Sequence, residues 1–237
     1  MLSNERLNKI LEILQEEKFC TTDYLSKKLF VVPVTIRRDL KLLEQDGLIS
    51  RCHGGASIVT HDNRNVPYIV RKNENNYVKS KLAEEAINFI NDGDTVLLDA
   101  SSTATYIADK ISEQQNITVI TNSIKICEIL SNKKIKTYCT GGRLVENSYA
   151  LVGAIAQEAI SKICANVVFF SSQGISKSGI ISDFSEEETQ LRKIMLQSAK
   201  KKYFVCDSTK IGKECLFSVC SYKELDGIIC DNPLVFE

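Results

Sequence analysis

Apolar positions at the start of the chain recur at helical spacing. Leu7, Ile10, Leu11 and Leu14 line one side and Glu5, Glu12 and Glu16 fall outside it, which predicts an amphipathic helix over residues 3–17. A short helix is expected over residues 22–29, followed by a tight apolar turn, Phe30-Val31-Val32. A second helix opens at Pro33, since proline suits a first helical position whose N–H has no partner. In it Ile36, Leu40 and Leu43 repeat at i, i+4, i+7 and must be buried, while Thr35, Arg37, Arg38 and Lys41 lie off that stripe. Two short runs, 47–51 and 56–59, flank Cys52-His53-Gly54-Gly55 and read as a β-hairpin. Residues 60–75 are rich in asparagine and charge, contain Pro67, and read as a linker with a short strand at 68–70.

From Val78 the pattern alternates helix and strand. An amphipathic helix over 79–90 precedes a strand at 95–99, and a helix through 111 precedes a strand at 117–121. The series continues with a helix to 130, a strand at 135–139, a helix over 153–163 and a strand at 167–170. A helix over 186–199 and strands at 203–206 and 227–230 complete it. Short apolar strands separated by helices predict an α/β unit with a mostly parallel sheet covered on both faces.

The first region has chemistry to match its pattern. Two helices joined by a three- or four-residue turn describe a helix-turn-helix, here within residues 20–39. Between Lys27 and Lys41 five basic residues stand against Asp39 alone. Arginine reads a guanine edge through two donors, and Lys, Arg and Thr bond phosphates, so Thr35, Arg37, Arg38 and Lys41 are the candidate DNA contacts. The hairpin that follows is a wing, and it places Arg51 and His53 within reach of phosphate. Net charge is zero, with 30 basic and 30 acidic residues, so affinity for nucleic acid must come from this local patch.

In the second region the polar residues collect where strands end. Ligands of open α/β sheets bind outside the carboxyl ends of the strands, and helix N-termini there attract anions. Those ends carry Asp99, Ser101, Ser102 and Thr103; Asn122 and Ser123; Gly141 and Gly142; Gln173; and Lys210. Ser101, Ser102, Thr103, Asn122 and Ser123 offer donors, Gly141 and Gly142 admit a close backbone approach, and Lys210 neutralises charge. Asp99, Gln173 and Glu188 are acceptors for sugar hydroxyls, and Ser185 with Glu188 also fits a capping box. Five such loops at one edge point to a phosphorylated sugar or polyol.

The stretch TIRRDLKLLEQDGLISRCHGGA resembles the signature of DeoR-type bacterial transcription regulators, in register over residues 3–58. Val32 stands where the family usually has a serine that caps the recognition helix. Residues 76–232 resemble the effector domain of the same family, similar in fold to sugar-phosphate isomerases. Its D-x-G-T-T motif reads Asp99-Ala100-Ser101-Ser102-Thr103, T-N-S is intact at 121–123, and the D-x-x-K loop is Asp207 to Lys210. Departures are Ser101 for glycine, Asn166 for aspartate, and Ser171-Ser172 in a loop that usually begins with glycine. The resemblance implies that these loops line a phosphosugar site.

The expectation is a DNA-binding head (3–58), a linker (59–75) and an effector-binding body (76–232). The resemblance implies an operator-binding repressor of carbohydrate use, expected as a dimer or tetramer, with no cofactor and no catalytic residue expected. The other reading is a sugar-phosphate isomerase with an appended head, for which the second region offers no histidine. Nine cysteines without a C-x-x-C pair, and only two histidines, argue against zinc; most of the cysteines lie in apolar surroundings and read as small buried hydrophobes. No apolar run reaches membrane-spanning length and no signal-peptide core opens the chain, so a cytoplasmic protein is expected.

Overall fold

The computed structural model describes residues 3–46, 48–52, 54–58, 66–112, 116–234 and 236. They form two compact units, Met1–Asn73 and Glu74–Glu237.

The first unit opens with α1 (Ser3–Glu17), β1 (Phe19–Thr21), α2 (Thr22–Leu29) and α3 (Pro33–Gln45). It continues with β2 (Ile49–Cys52), β3 (Gly55–Ile58) and α4 (Tyr68–Asn73). Ile10, Leu14, Leu25, Ile36, Leu40, Leu43 and Leu48 make its core, so the helical stripes read from the sequence are the buried ones. Thr21 caps α2 by accepting from the Tyr24 N–H, and Phe30 ends it in a left-handed conformation. Val32 precedes α3 without a side-chain cap, and Pro33 takes the first position. The wing is a three-stranded antiparallel sheet in the order β1-β3-β2. β1 was not foreseen: it pairs with β3 so closely that a Cβ on Gly55 would lie 2.4 Å from the Cys20 carbonyl oxygen. The strand expected at 68–70 is instead helix α4, whose Ile69 and Val70 pack on the same core. A three-residue run had too little length to show its period.

The second unit is built on a six-stranded parallel sheet, β14-β12-β9-β4-β5-β6. Its strands are β4 (Thr95–Leu98), β5 (Thr118–Thr121), β6 (Lys136–Cys139), β9 (Ala165–Phe170), β12 (Ala199–Cys206) and β14 (Gly227–Cys230). Side chains alternate between two apolar layers. Val96 and Leu98 face α5 (Asn76–Ile87), α6 (Ser102–Lys110) and α7 (Ile124–Asn132), while Leu97 faces α8 (Ala154–Ser161) and α9 (Glu186–Gln197). Both faces are therefore covered, which is why the strands read as unbroken apolar runs. Two pieces were not read from the sequence. A hairpin, β7 (Arg143–Val145) with β8 (Ala150–Val152), follows the Gly141-Gly142 loop. A small antiparallel sheet joins β10 (Gly174–Ile175), β11 (Ile180–Asp183) and β13 (Phe217–Ser221).

Three of the nine cysteines, Cys20, Cys206 and Cys220, are buried, three are half-buried, and Cys52, Cys139 and Cys164 are exposed, which corrects the reading of most of them as buried hydrophobes. All nine are free thiols.

Candidate nucleic-acid interface and effector site

On α3, Ile36, Asp39, Leu40 and Leu43 are buried and Arg37, Arg38 and Lys41 are exposed, with Thr35 half-buried on the flank. The single acid of the sequence patch is not on the outer face. Asp39 is buried and accepts from Arg6 Nε at 2.5 Å and Nη2 at 3.1 Å, which ties α1 to α3. That hydrogen bond raises the Arg6 pKa above its ordinary value. The acid between Lys27 and Lys41 is thus turned inward, and the partly exposed carboxylate of α3, Glu44, lies one turn further on beside Arg37.

Arg51 is partly committed. Its backbone N–H and Nε both donate to Glu44, at 3.2 and 2.6 Å, which joins the wing to α3 and holds the Glu44 carboxyl below the usual carboxylate range. Arg37 and Arg51 line a cleft of about 520 Å³ between α3 and the wing, together with Thr22, Asp23 and Gly54. His53 lies outside the described residues.

In the second unit the strand order places the effector loops side by side. Along the carboxyl edge run the loop at 207–210 after β12, 171–173 after β9, 99–103 after β4, 122–123 after β5 and 140–142 after β6. The chain proceeds from β4 to β5 and β6 on one side and then to β9 and β12 on the other. The β4–β9 boundary is therefore the topological switch point, where crevices form in such sheets. Asp99 and Ser171 meet there, the Ser171 N–H donating to Asp99 Oδ2 at 3.3 Å.

At this boundary sits a residue that sequence reasoning missed. Arg192 of α9, only 4% exposed, donates to Asp99 at 2.8 Å, Asp183 at 2.9 Å and Glu188 at 3.1 Å. Burial alone would disfavour its charge, but Asp183, Asp99 and Glu188 outweigh that and raise its pKa above the ordinary value. Asp99 also accepts from the Ser101 N–H at 3.1 Å, and Asp183 from the N–H groups of Phe184 and Ser185. Asp99 and Glu188 are thus bound to a guanidinium rather than standing open as hydroxyl acceptors. The capping box at Ser185 forms by half: its Oγ accepts from the Glu188 N–H, but the Glu188 carboxylate turns to Arg192. The signal available in the sequence was the Glu188–Arg192 spacing of i, i+4, with apolar Leu191 and Met195 beside it.

The other candidates divide by role. Ser101 caps α6 and Ser123 caps α7, each accepting a backbone N–H, while Ser102 and Thr103 are buried in the first turn of α6. The first N–H groups of α6 and α7 have no acceptor within the helix. Asn122 Nδ2 donates to the Leu151 carbonyl of the β7–β8 hairpin at 3.1 Å. Its Oδ1 is buried without a hydrogen-bond partner among the described residues. The hairpin folds over the edge, its Ala150 and Val152 packing with Ala100. Gly142 (φ 112°) is required by that packing, since a Cβ would lie 2.5 Å from the Val152 carbonyl oxygen; at Gly141 (φ 71°) a Cβ would meet only Ile155 Cγ2, at 3.6 Å. Lys210 Nζ donates to Gln173 Oε1 at 3.1 Å, which brings these two together. Asn166 is remote from the edge: it accepts from the Thr95 N–H at the far ends of β4 and β9.

Residues 6–62 match the family described as a DeoR-like helix-turn-helix domain, and residues 74–232 the DeoR C terminal sensor domain. The chain is 34% identical to the uncharacterized HTH-type transcriptional regulator YulB of Bacillus subtilis, over 99% of this chain and 91% of that protein. It is 32% identical to the HTH-type transcriptional regulator GolR of Listeria innocua, over 99% and 92%. It is 30% identical to the lactose phosphotransferase system repressor of Staphylococcus epidermidis, over 96% and 92%. Among solved structures, ribose 5-phosphate isomerase A of Methanocaldococcus jannaschii superposes with a TM-score of 0.45 at 15% identity, covering 58% of this chain and 55% of that one.

Proposed function

Because the chain belongs to the DeoR family of transcriptional regulators, we propose that it represses a carbohydrate-use operon and answers to a phosphorylated sugar or polyol. It is a DNA-binding regulator and not an enzyme: the relatives that match it over nearly their whole length are regulators, which leaves the isomerase reading without support. The division of labour we infer assigns operator DNA to residues 3–58 and the effector to 76–232.

In this reading α3 enters the major groove with Thr35, Arg38 and Lys41, while Arg37 and Arg51 approach the backbone beside the wing; His53 keeps the phosphate role that the sequence assigns it. The effector's phosphate sits against the first turns of α6 and α7, at Ser102 and Thr103 and beside Ser123, where N–H groups and the helix dipoles favour an anion. Lys210 balances its charge, and Gln173 and Asn122 Oδ1 accept sugar hydroxyls. Gly141 lets the backbone approach. Asp99, Glu188 and Ser101 act one step back, fixing the loops that carry these groups. The observation that carries the effector reading is the unpartnered Asn122 Oδ1, buried within the row of strand-end loops.

Effector binding favours one arrangement of the protein and so shifts DNA affinity, by no more than its own difference in affinity for the two. A homo-oligomer, dimer or tetramer, supplies the paired heads that paired half-sites require. Among the described residues no helix is long and apolar enough to cross a membrane, and we place the protein in the cytoplasm with its operator.

Two substitutions test the two halves separately. Arg38→Ala is expected to weaken operator binding about 10- to 100-fold at fixed salt, since one good bidentate contact is worth about 1–3 kcal/mol. An unchanged binding curve contradicts the assigned helix. Lys210→Ala is expected to raise, by about 10-fold or more, the sugar-phosphate concentration needed for release while leaving operator binding in place. Loss of both functions together argues against a dedicated effector site.

A further inference from the structure

The buried stripe of α3 fixes what its opposite side presents. With Ile36, Asp39, Leu40 and Leu43 inside, Val34, Arg38, Lys41 and Gln45 fall at i, i+4, i+7 and i+11 on the outer side, and all four are exposed. The row begins with a hydrocarbon. Val34 is 70% exposed and Val32, one residue outside the helix, 64%. Neither belongs to the core of the first unit, and Val32 makes no capping hydrogen bond. A surface position otherwise filled by arginine, lysine and glutamine gains nothing for folding from an exposed valine.

The place of Val34 in the row says what it fits. It occupies the second position of the helix, and the N-terminal residues of a recognition helix are those that reach base edges. Among the groups that the four bases present in the major groove, the C5-methyl of thymine is the apolar one. We propose that Val34, with Val32 beside it, reads thymine in the operator through that methyl group, ahead of the polar contacts of Arg38 and Lys41. The inference rests on the DNA-binding reading above and adds to it a base preference at the N-terminal end of α3.

Replacing thymine by uracil removes the C5-methyl and leaves the pairing edge intact. Full-length protein is used to enrich duplexes from a random pool, and an enriched duplex is resynthesised with uracil at single thymine positions. The wild-type protein is expected to lose about fourfold in affinity at a contacted position, the value of one buried methyl-sized group. Val34→Ser is expected to bind the thymine and uracil duplexes alike, and Val34→Thr, which keeps one methyl, to retain part of the difference. Equal binding of both duplexes by the wild type overturns the inference while leaving DNA binding intact. So does a methyl preference that survives in Val34→Ser, or a Val34→Ser protein that changes its sedimentation and not its base preference. If no duplex is enriched, the DNA-binding reading falls, and this inference with it.

Discussion

Arg192→Ala is expected to lower the melting midpoint of the second unit by on the order of 10 °C. The substitution leaves the carboxylates of Asp99, Asp183 and Glu188, with side chains 2%, 8% and 12% exposed, without their shared cation. Breaking a buried ion pair by removing one partner costs about 3–5 kcal/mol, because the remaining charge is stranded in a poorly solvating interior. For a unit of this size each kcal/mol moves the midpoint by roughly 2–4 °C. Backbone N–H groups at Ser101, Ser171, Phe184 and Ser185 still serve Asp99 and Asp183, which places the cost toward the lower end of that range. Arg192→Lys keeps the charge but cannot span three carboxylates with one ammonium, and is expected to lie between alanine and wild type. Thermal scans followed by circular dichroism decide it. A midpoint within about 2 °C of wild type for Arg192→Ala would mean that the network does not hold the switch-point loops.

Asp39→Ala is expected to unfold much of the DNA-binding unit at temperatures where the wild type is folded. The substitution strands Arg6, whose side chain is 13% exposed, and removes the bond between α1 and α3. A cost of about 3 kcal/mol follows from the buried-pair argument. In a domain of this size that is more than about 10 °C in midpoint and a large part of total stability. Operator binding would then be lost through folding, so the diagnostic comparison is with Arg38→Ala. That variant should lose DNA affinity while its melting curve stays in place. A stable Asp39→Ala protein that nevertheless fails to bind DNA would move Asp39 from the fold to the interface.

The elements legible in the sequence were those whose causes are local. The boundaries of α2 and α3 follow from Thr21, Phe30 and Pro33, and the strands of the parallel sheet from apolar runs broken by helices. β1 and the β7–β8 hairpin were not legible, because three-residue strands show no period and their pairing is set by distant partners. The candidate site was legible as a set of loops, since all strands of a parallel sheet end on one edge. Its internal order was not. Sequence alone does not say that Asp99 and Glu188 converge on Arg192, because the contact spans 93 residues between Asp99 and Arg192 and depends on the strand order. An arginine beside Lys193 on a charged helix reads as surface until its neighbours Leu191 and Met195 are known to be buried. The same holds for Val34, which is apolar in sequence and exposed in the fold.

The most direct test of a head that reads DNA under the control of a sugar-phosphate sensor is one titration. A duplex from the promoter region beside the gene is bound by the full-length protein at fixed salt, with and without a panel of pentose, hexose and polyol phosphates. The account predicts a specific complex whose midpoint shifts at least tenfold with one phosphorylated member and not with its unphosphorylated counterpart. A complex indifferent to every phosphate in the panel, or no complex with any fragment, would contradict it.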